Sequence, residues 1–287
     1  SLDTSLYTLV DEGKWTFDTM VEYMATAARD LNGNGKVDAS DQFGAVSYSG
    51  CVKSLLFASG ETLMEKNAEG VPEIKTPGDR FYTVYADIVN SFYGDNNYFC
   101  DSYNTPGVNG WVGVFSDGHA MFFFDPVGSL KKLRDMDVEF GVLPYPKFDE
   151  NQENYITTLH DTSEIGAIPS TVVGDELNFV LTCLEVLGRE TSKSVMPAFY
   201  EDGLKVKYAD GQDDAKMVDL IHDSISSPFA VAYDSTLGNF LLRNVFLDPL
   251  ANNNINFASN YDRYLKAATK LLGRTTDGFK SILEAQQ

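Results

Sequence analysis

Residues 30–41 join an amphipathic helix to an apolar strand, and they read Asp-Leu-Asn-Gly-Asn-Gly-Lys-Val-Asp-Ala-Ser-Asp. Oxygen-bearing side chains recur in this loop at the spacing of calcium ligands: Asp30, Asn32, Asn34, Asp38 and Asp41. Gly35 permits the sharp turn of a calcium loop, and Lys36 would bind through its backbone carbonyl. The spacing therefore predicts one structural calcium ion, and an Asx-Gly turn with solvated carboxylates is the alternative.

The segments on either side of the loop predict how it is used. The apolar residues of Phe17–Arg29 recur at helical spacing, with Thr16 as the N-cap, and Phe43–Tyr48 has the composition of a strand. A helix-loop-strand arrangement lacks the second helix that a calcium sensor moves. Because Asp41 is shorter than the bidentate Glu that usually closes such a loop, we expect weak calcium binding and a fixed structural clip.

Helices and strands alternate along most of the chain, which predicts an α/β fold. Periodicity predicts five further helices: Arg80–Tyr93, Asp175–Leu187, Asp213–Ser224, Leu237–Phe246 and Tyr261–Leu272. Three further strands are expected at His119–Phe124, Phe140–Leu143 and Ile165–Ile168. No internal repeat is present in the sequence.

Composition restricts the class of partner. A length of 287 residues suggests about two domains, and a net charge of −20 argues against nucleic acids and anionic membrane surfaces. No apolar run approaches the roughly 18 residues of a membrane span. Cys51, Cys100 and Cys183 are widely spaced and odd in number, so buried thiols are expected. The chain opens without a signal peptide, which indicates either a cytoplasmic protein or a mature or truncated one.

No pattern indicates catalysis. His119, His160 and His222 have no metal-ligand spacing, and the sequence contains neither a nucleophile elbow nor a phosphate-binding glycine loop. A glycosidase needs a pair of carboxylates, but among 42 acidic residues such a pair carries no information. We therefore expect a protein that is not an enzyme.

Four blocks in order resemble family 1 extracellular solute-binding proteins, the maltose-binding-protein-like sugar receptors of bacterial ABC importers. The first block runs from Leu9-Val10-Asp11-Glu12-Gly13-Lys14-Trp15-Thr16-Phe17-Asp18 through the 30–41 loop to Gln42-Phe43-Gly44. The second is Ser116-Asp117-Gly118-His119-Ala120-Met121-Phe122-Phe123 with the downstream Leu130–Met136, and the others are Phe140–Lys147 and Ala167-Ile168-Pro169. The order and spacing agree from about residue 7 to the C-terminus.

The resemblance implies a class II periplasmic-binding-protein-like fold with two lobes that close on a solute. This chain would hold one nearly complete lobe, residues 1–136 with 191–287, and residues 137–190 would be the hinge and a remnant of the other lobe. The C-terminal helices would pack back onto the Phe17–Arg29 helix and the early strand, Phe43–Tyr48. The implied protein is a monomeric lipoprotein on the extracellular face of the cytoplasmic membrane, and its partner is an ABC transporter permease.

The resemblance also implies a ligand site at the cleft. It places Tyr48 and Ser49 after the first strand, Phe124 and Asp125 after the second, and Tyr233 with Asp234 at a late helix. Aromatic platforms beside polar groups suit carbohydrates, which have an apolar face and a hydroxyl rim. Core packing is the alternative for each aromatic residue, and it is the expected role of Trp15. Val127 stands where the related pattern has a stacking Trp.

Two functions from different classes follow. The first is the substrate-binding component of an ABC importer, which captures an extracellular solute such as a mono- or oligosaccharide. The second is a calcium-stapled glycan-active enzyme or a cell-surface carbohydrate-binding module. A hydrolase assay against oligosaccharides distinguishes them.

Overall fold

A computed structural model describes residues 5–94, 98–133, 136–159, 166–200, 212–226, 229–252, 254 and 256–285. Its helices are α1 (Leu6–Asp11), α2 (Phe17–Ala27), α3 (Ser49–Ala58), α4 (Asp79–Tyr93), α5 (Trp111–Ser116), α6 (Gly174–Glu190), α7 (Gln212–Asp223), α8 (Phe229–Tyr233), α9 (Asp248–Ala251) and α10 (Phe257–Ala285). Its strands are β1 (Phe43–Ser47), β2 (Met64–Lys66), β3 (Pro72–Ile74), β4 (Phe99–Asp101), β5 (Ala120–Phe123), β6 (Thr157–Thr158) and β7 (Ile225–Ser226). A 3₁₀ helix spans Val127–Lys132, and π-helical turns span Thr191–Val195 and Phe240–Leu247. The described residues thus confirm an α/β protein.

A three-stranded parallel sheet in the order β4-β1-β5 forms the centre of the molecule. Every residue of β1 is buried, as expected for the middle strand of a parallel sheet that is covered on both faces. The register places Ser47 beside Asp101, and Val46 beside Phe123. The carboxyl ends of all three strands therefore meet at one edge.

Helix α2 covers one face of this sheet. The Thr16 side chain accepts a hydrogen bond from the backbone N–H of Thr19, which confirms Thr16 as the N-cap. Met20 and Met24 are on the buried face of α2. A Cβ at Gly44 of β1 would lie 2.4 Å from Met24 Cβ and 2.5 Å from Met24 Cα. Helix and strand therefore touch at a position that has no room for a side chain. Trp15 is buried and its indole N–H donates to the carbonyl of Pro144, so its expected core role is confirmed.

The C-terminal helices join the same hydrophobic core, mainly through α4. The Phe257 ring lies 4.7 Å from Phe81 and 5.0 Å from Tyr85, measured between centroids, and Phe246 lies 5.6 Å from Tyr85. Helix α10 also contacts β3, and the π-helical turn before α9 contacts α3. The expected packing onto α2 is thus replaced, in the principal contacts, by packing onto α3, α4 and β3.

Two predicted strands are wrong. Residues 140–143 and 166–168 have no regular secondary structure, and Ile165 lies outside the described residues. Pro144 and Pro146 follow the first segment and provide no N–H for a ladder. The N–H of Val142 donates to the Asp214 carboxylate instead, at 2.8 Å.

Several short elements, and the C-terminal part of α10, were not predicted from the sequence. The β2–β3 hairpin, β4, α1, α3 and α5 were not predicted, and α10 continues well beyond the expected Leu272. Helix α3 was not predicted because it is apolar on most of its surface and therefore lacks the periodic pattern of an amphipathic helix.

Helix α6 is partly or fully exposed at every residue, although it has an apolar face. It contains no buried residue, and its large exposed side chains include Phe179, Leu181, Leu184, Val186 and Leu187. The apolar stripe of an amphipathic helix normally packs against other protein. Among the described residues, no helix is both long and apolar enough to cross a membrane.

The contact between Gly44 and Met24 gives a stability prediction. Gly44→Ala should lower the free energy of unfolding by about 1–3 kcal/mol, because a methyl group would meet the α2 backbone. The matched control is Gly113→Ala inside α5, where a Cβ meets nothing within 4 Å. This control should be neutral or stabilising by up to about 1 kcal/mol. Urea unfolding measures both, and equal midpoints would contradict the close packing.

The packing of α10 gives a second prediction. Phe257→Ala should cost about 3–5 kcal/mol in the free energy of unfolding, because its ring is fully enclosed by α4 and α10 side chains. Phe279, in the same helix, is 45% exposed, so Phe279→Ala should cost less than about 1 kcal/mol. Similar losses for the two variants would show that α10 does not dock through Phe257.

Candidate functional site

Three aromatic rings meet at the carboxyl edge of the sheet. Tyr48 lies 5.2 Å from Trp111 and 6.2 Å from Tyr103, and Tyr103 lies 6.0 Å from Trp111, all between ring centroids. The interplanar angles of 44–70° are those of tilted and edge-to-face pairs. We call these three residues the aromatic cluster. Tyr103 is 69% exposed, so the cluster opens to solvent.

The backbone explains why these rings converge. Because Ser47 pairs with Asp101, Tyr48 and Ser102 leave the ends of β1 and β4 side by side, with Tyr103 next. Trp111 begins α5 directly after Gly110, whose φ of 90° is readily available only to glycine. The Ser102 hydroxyl is buried without a hydrogen-bond partner among the described residues.

Asp125 ties the cluster to the end of β5. Its Oδ2 accepts a hydrogen bond from the Trp111 indole N–H at 3.1 Å, and Lys132 Nζ lies 3.6 Å from the same oxygen. The Lys132 ammonium also lies 5.8 Å from the centre of the Trp111 ring. The Asp125 side chain is only 5% exposed, whereas that of Lys132 is 44% exposed. Asp125 thus fixes the orientation of Trp111, and the partly exposed Lys132 ammonium lies beside both.

Phe124 has a more structural position than the resemblance implies. Its ring stacks on Tyr145 at 5.6 Å with an angle of 19°, and it lies 6.0 Å from Phe92. Its carbonyl accepts a hydrogen bond of 2.6 Å from the Ser47 hydroxyl. Phe124 is therefore part of the wall between the core and the carboxyl edge.

Two cavities open beside Asp125. One has a volume of about 270 Å³ and is bordered by Gly50, Cys51, Lys53, Asp125 and Thr158 together with apolar neighbours. The other, of about 150 Å³, lies behind Phe124 and Asp125. Burial raises the pKa of the Cys51 thiol, which therefore stays protonated at neutral pH and acts as an apolar wall.

Two predicted ligand residues, Tyr233 and Asp234, are not brought to this edge. The Tyr233 ring packs edge-on against Phe279 of α10 at 6.1 Å, and Asp234 is buried at the end of α8. Neither residue lines the cavities that Asp125 borders. Ser49 is the first residue of α3 and follows Tyr48 at the edge, while its side chain lies outside the described part of the chain.

The 30–41 loop is closed by its own backbone. Asp30 accepts hydrogen bonds from the N–H groups of Gly33 and Gly35, at 2.7 and 2.8 Å. Asn32 and Asn34 each accept from the backbone two residues further on, and the buried Asp41 accepts from the N–H groups of Leu31 and Asp38. Such contacts fit either a calcium loop or an Asx-turn loop.

The donor set gives the calcium prediction no further support. Within the described residues, no three carboxylate, imidazole or thiol side chains lie close enough together to hold a metal ion. The N–H of Ser40 donates to Asp38 and lowers the pKa of that carboxyl, which keeps it ionised. Calcium at Asp30, Asn32, Asn34, Lys36, Asp38 and Asp41 therefore stays a prediction.

Sequence reasoning missed two of the three rings in the aromatic cluster. Tyr103 and Trp111 stand on either side of a turn-rich stretch, residues 104–110, which contains a Pro and two Gly. Nothing in the local pattern distinguishes them from ordinary loop residues. One available signal was the rarity of tryptophan, since the chain has only Trp15 and Trp111 and the first was assigned to the core.

Neither a scan against protein-family models nor a search of curated proteins finds a match for this chain. The site must therefore be interpreted from its own chemistry.

The calcium prediction can be tested by thermal unfolding. If calcium binds only the folded state, a hundredfold excess over Kd should add about 2.7 kcal/mol to the free energy of unfolding. Asp30→Ala should remove the rise in Tm between chelator and millimolar calcium. Asp117→Ala removes an exposed carboxylate outside the loop and should keep it. Identical melting curves of the unmodified protein with calcium and with chelator would leave the Asx-turn interpretation.

Proposed function

We propose that this chain belongs to the substrate-binding component of an ABC importer and that the carboxyl edge of the β4-β1-β5 sheet forms one wall of its solute cleft. The observation that carries the proposal is the aromatic cluster of Tyr48, Tyr103 and Trp111 at that edge. Ligands of open α/β sheets bind beyond the carboxyl ends of the strands. The proposed solute is a mono- or oligosaccharide.

The chemistry of the edge supports a saccharide. A pyranose ring has an apolar face that packs on aromatic rings and a rim of hydroxyls that needs hydrogen-bond partners. Tyr103 offers an exposed ring, and Asp101, Asn104 and Asp125 provide polar groups at the ends of β4 and β5. Asp101 is held in place because its carboxylate accepts from the N–H of Tyr103 and from the Asn104 amide.

The exposed apolar side chains of α6 support the part of the proposal that includes a second lobe. It lies within the 137–190 segment that the resemblance assigns to the hinge and the other lobe, and its apolar side chains have no cover among the described residues. A second lobe packed there would bury them and would form the opposite wall of the cleft. In this proposal the protein is a monomer, is lipid-anchored at the extracellular face and delivers its solute to a membrane permease.

Sugar binding by two variants tests whether the ligand binds at the carboxyl edge of the sheet or at another aromatic surface. With one wall only, we expect maltose-type oligosaccharides to bind with a Kd in the millimolar range, near −4 kcal/mol, because the contacts and water exclusion of a closed cleft are missing. Saturation-transfer NMR on the sugar measures this. Trp111→Ala should weaken binding at least about tenfold. Tyr82→Ala removes a partly exposed ring outside the cluster and should have no effect.

Three outcomes would contradict parts of this proposal. Equal losses for Trp111→Ala and Tyr82→Ala would place binding elsewhere. Micromolar binding by the chain itself would indicate a self-contained carbohydrate-binding module. Release of reducing sugar during the titration would indicate a glycan-active enzyme.

A further inference from the structure

We propose that the solute bound at the carboxyl edge carries a positively charged amino group, and that Lys132 Nζ marks the position of that group. An amino sugar is the chemical class that combines such a group with an apolar ring face. This inference rests on the proposed solute-binding function and specifies its substrate class.

The surroundings of Lys132 are those of an ammonium-binding site. Its Nζ lies 3.6 Å from Asp125 Oδ2 and 5.8 Å from the centre of the Trp111 ring. A carboxylate and the face of an indole are the two partners that attract an ammonium ion most strongly. The Trp111 N–H donates to the same Asp125 oxygen, so the carboxylate and the ring are held in a fixed relation. The partners are therefore preorganised.

Lys132 itself is poorly fixed compared with its partners. It is the last residue of the 3₁₀ helix, its flexible side chain is 44% exposed, and Asp125 is almost completely buried. Because only the lysine end of the pair is exposed, an ammonium ion from solution can exchange with Lys132 while the buried carboxylate keeps a cationic partner. The net charge of −20 further favours the approach of a cation.

A neutral solute would have a different effect on Asp125. If it displaced Lys132 without supplying a positive charge, the buried carboxylate would lose its cationic partner and keep the Trp111 N–H as its hydrogen-bond donor. Loss of one partner from a buried charge pair is strongly unfavourable. Neutral sugars must therefore leave Lys132 in place and share the Trp111 ring with its ammonium group, which lies 5.8 Å from the ring centre. A charged amino group can use both Trp111 and Asp125.

The two tryptophans provide a direct measurement. In the ¹⁵N-labelled chain the indole N–H signals report Trp111 at the site and Trp15 in the core, and Trp111→Phe assigns them. The probes are glucosamine, glucose and N-acetylglucosamine, at a pH below the pKa of the glucosamine amine. We expect glucosamine to shift the Trp111 signal with a Kd about tenfold lower than that of the two neutral sugars.

Three variants test the role of each group. Lys132→Met removes the internal competitor and should tighten glucosamine binding about three- to tenfold. Lys131→Met changes the net charge equally at an adjacent exposed residue and should leave binding unchanged. Asp125→Asn keeps an acceptor for Trp111 but removes the charge, so the preference for glucosamine should disappear. An unshifted Trp15 signal shows that each variant is folded.

The outcomes separate this inference from the function on which it rests. Equal Kd values for the charged and neutral sugars, or equal effects of Lys132→Met and Lys131→Met, overturn the amino-group inference but leave saccharide binding intact. Retained preference for glucosamine in folded Asp125→Asn also overturns it. If none of the three probes moves the Trp111 signal, both the inference and the proposed function are wrong.

Discussion

The contact between Gly44 and Met24 is the constraint on which the arrangement of the site depends. Because a Cβ at position 44 would collide with the α2 backbone, the helix can lie directly on the central strand only at a glycine. That contact fixes β1 between α2 and the α5 side of the sheet. The register of β1 with β4 and β5 then places the residues after Ser47, Asp101 and Phe123 at one edge. Thus the contact at Gly44, near the start of β1, helps to set where the site residues lie at the carboxyl end of the same strand.

The spacing of apolar residues predicted the helices that bury one face and the strand that consists of a short apolar run. Helices α2 and α4 have one apolar face each, and β1 has a short apolar run, so their types and approximate limits could be read from the sequence. Residues 140–143 have the same apolar character as a strand. The Val142 N–H in this segment is bound by the distant carboxylate of Asp214, which no local pattern reveals.

The site was less predictable than the fold because it is assembled from loop residues. Tyr48 and Asp125 could be placed, because the resemblance implies a cleft at the ends of two predicted strands, where Tyr48 ends the first and Asp125 follows the second. Tyr103 and Trp111 reach the edge only because β4, an unpredicted strand, pairs with β1 and because Gly110 redirects the chain. Tyr233 illustrates the opposite case, since its aromatic character is used in packing against Phe279 and not at the edge.

The electrostatics of the edge differ from those of the whole chain. A net charge of −20 repels anions and attracts cations without discriminating among them. At the aromatic cluster, however, a single buried carboxylate is oriented by the Trp111 N–H and is neutralised by a single exposed lysine. Long-range charge can raise the local concentration of a cation, but only this short-range arrangement can recognise one. Selectivity at the edge therefore depends on whether the incoming group can replace Lys132 against both Asp125 and Trp111.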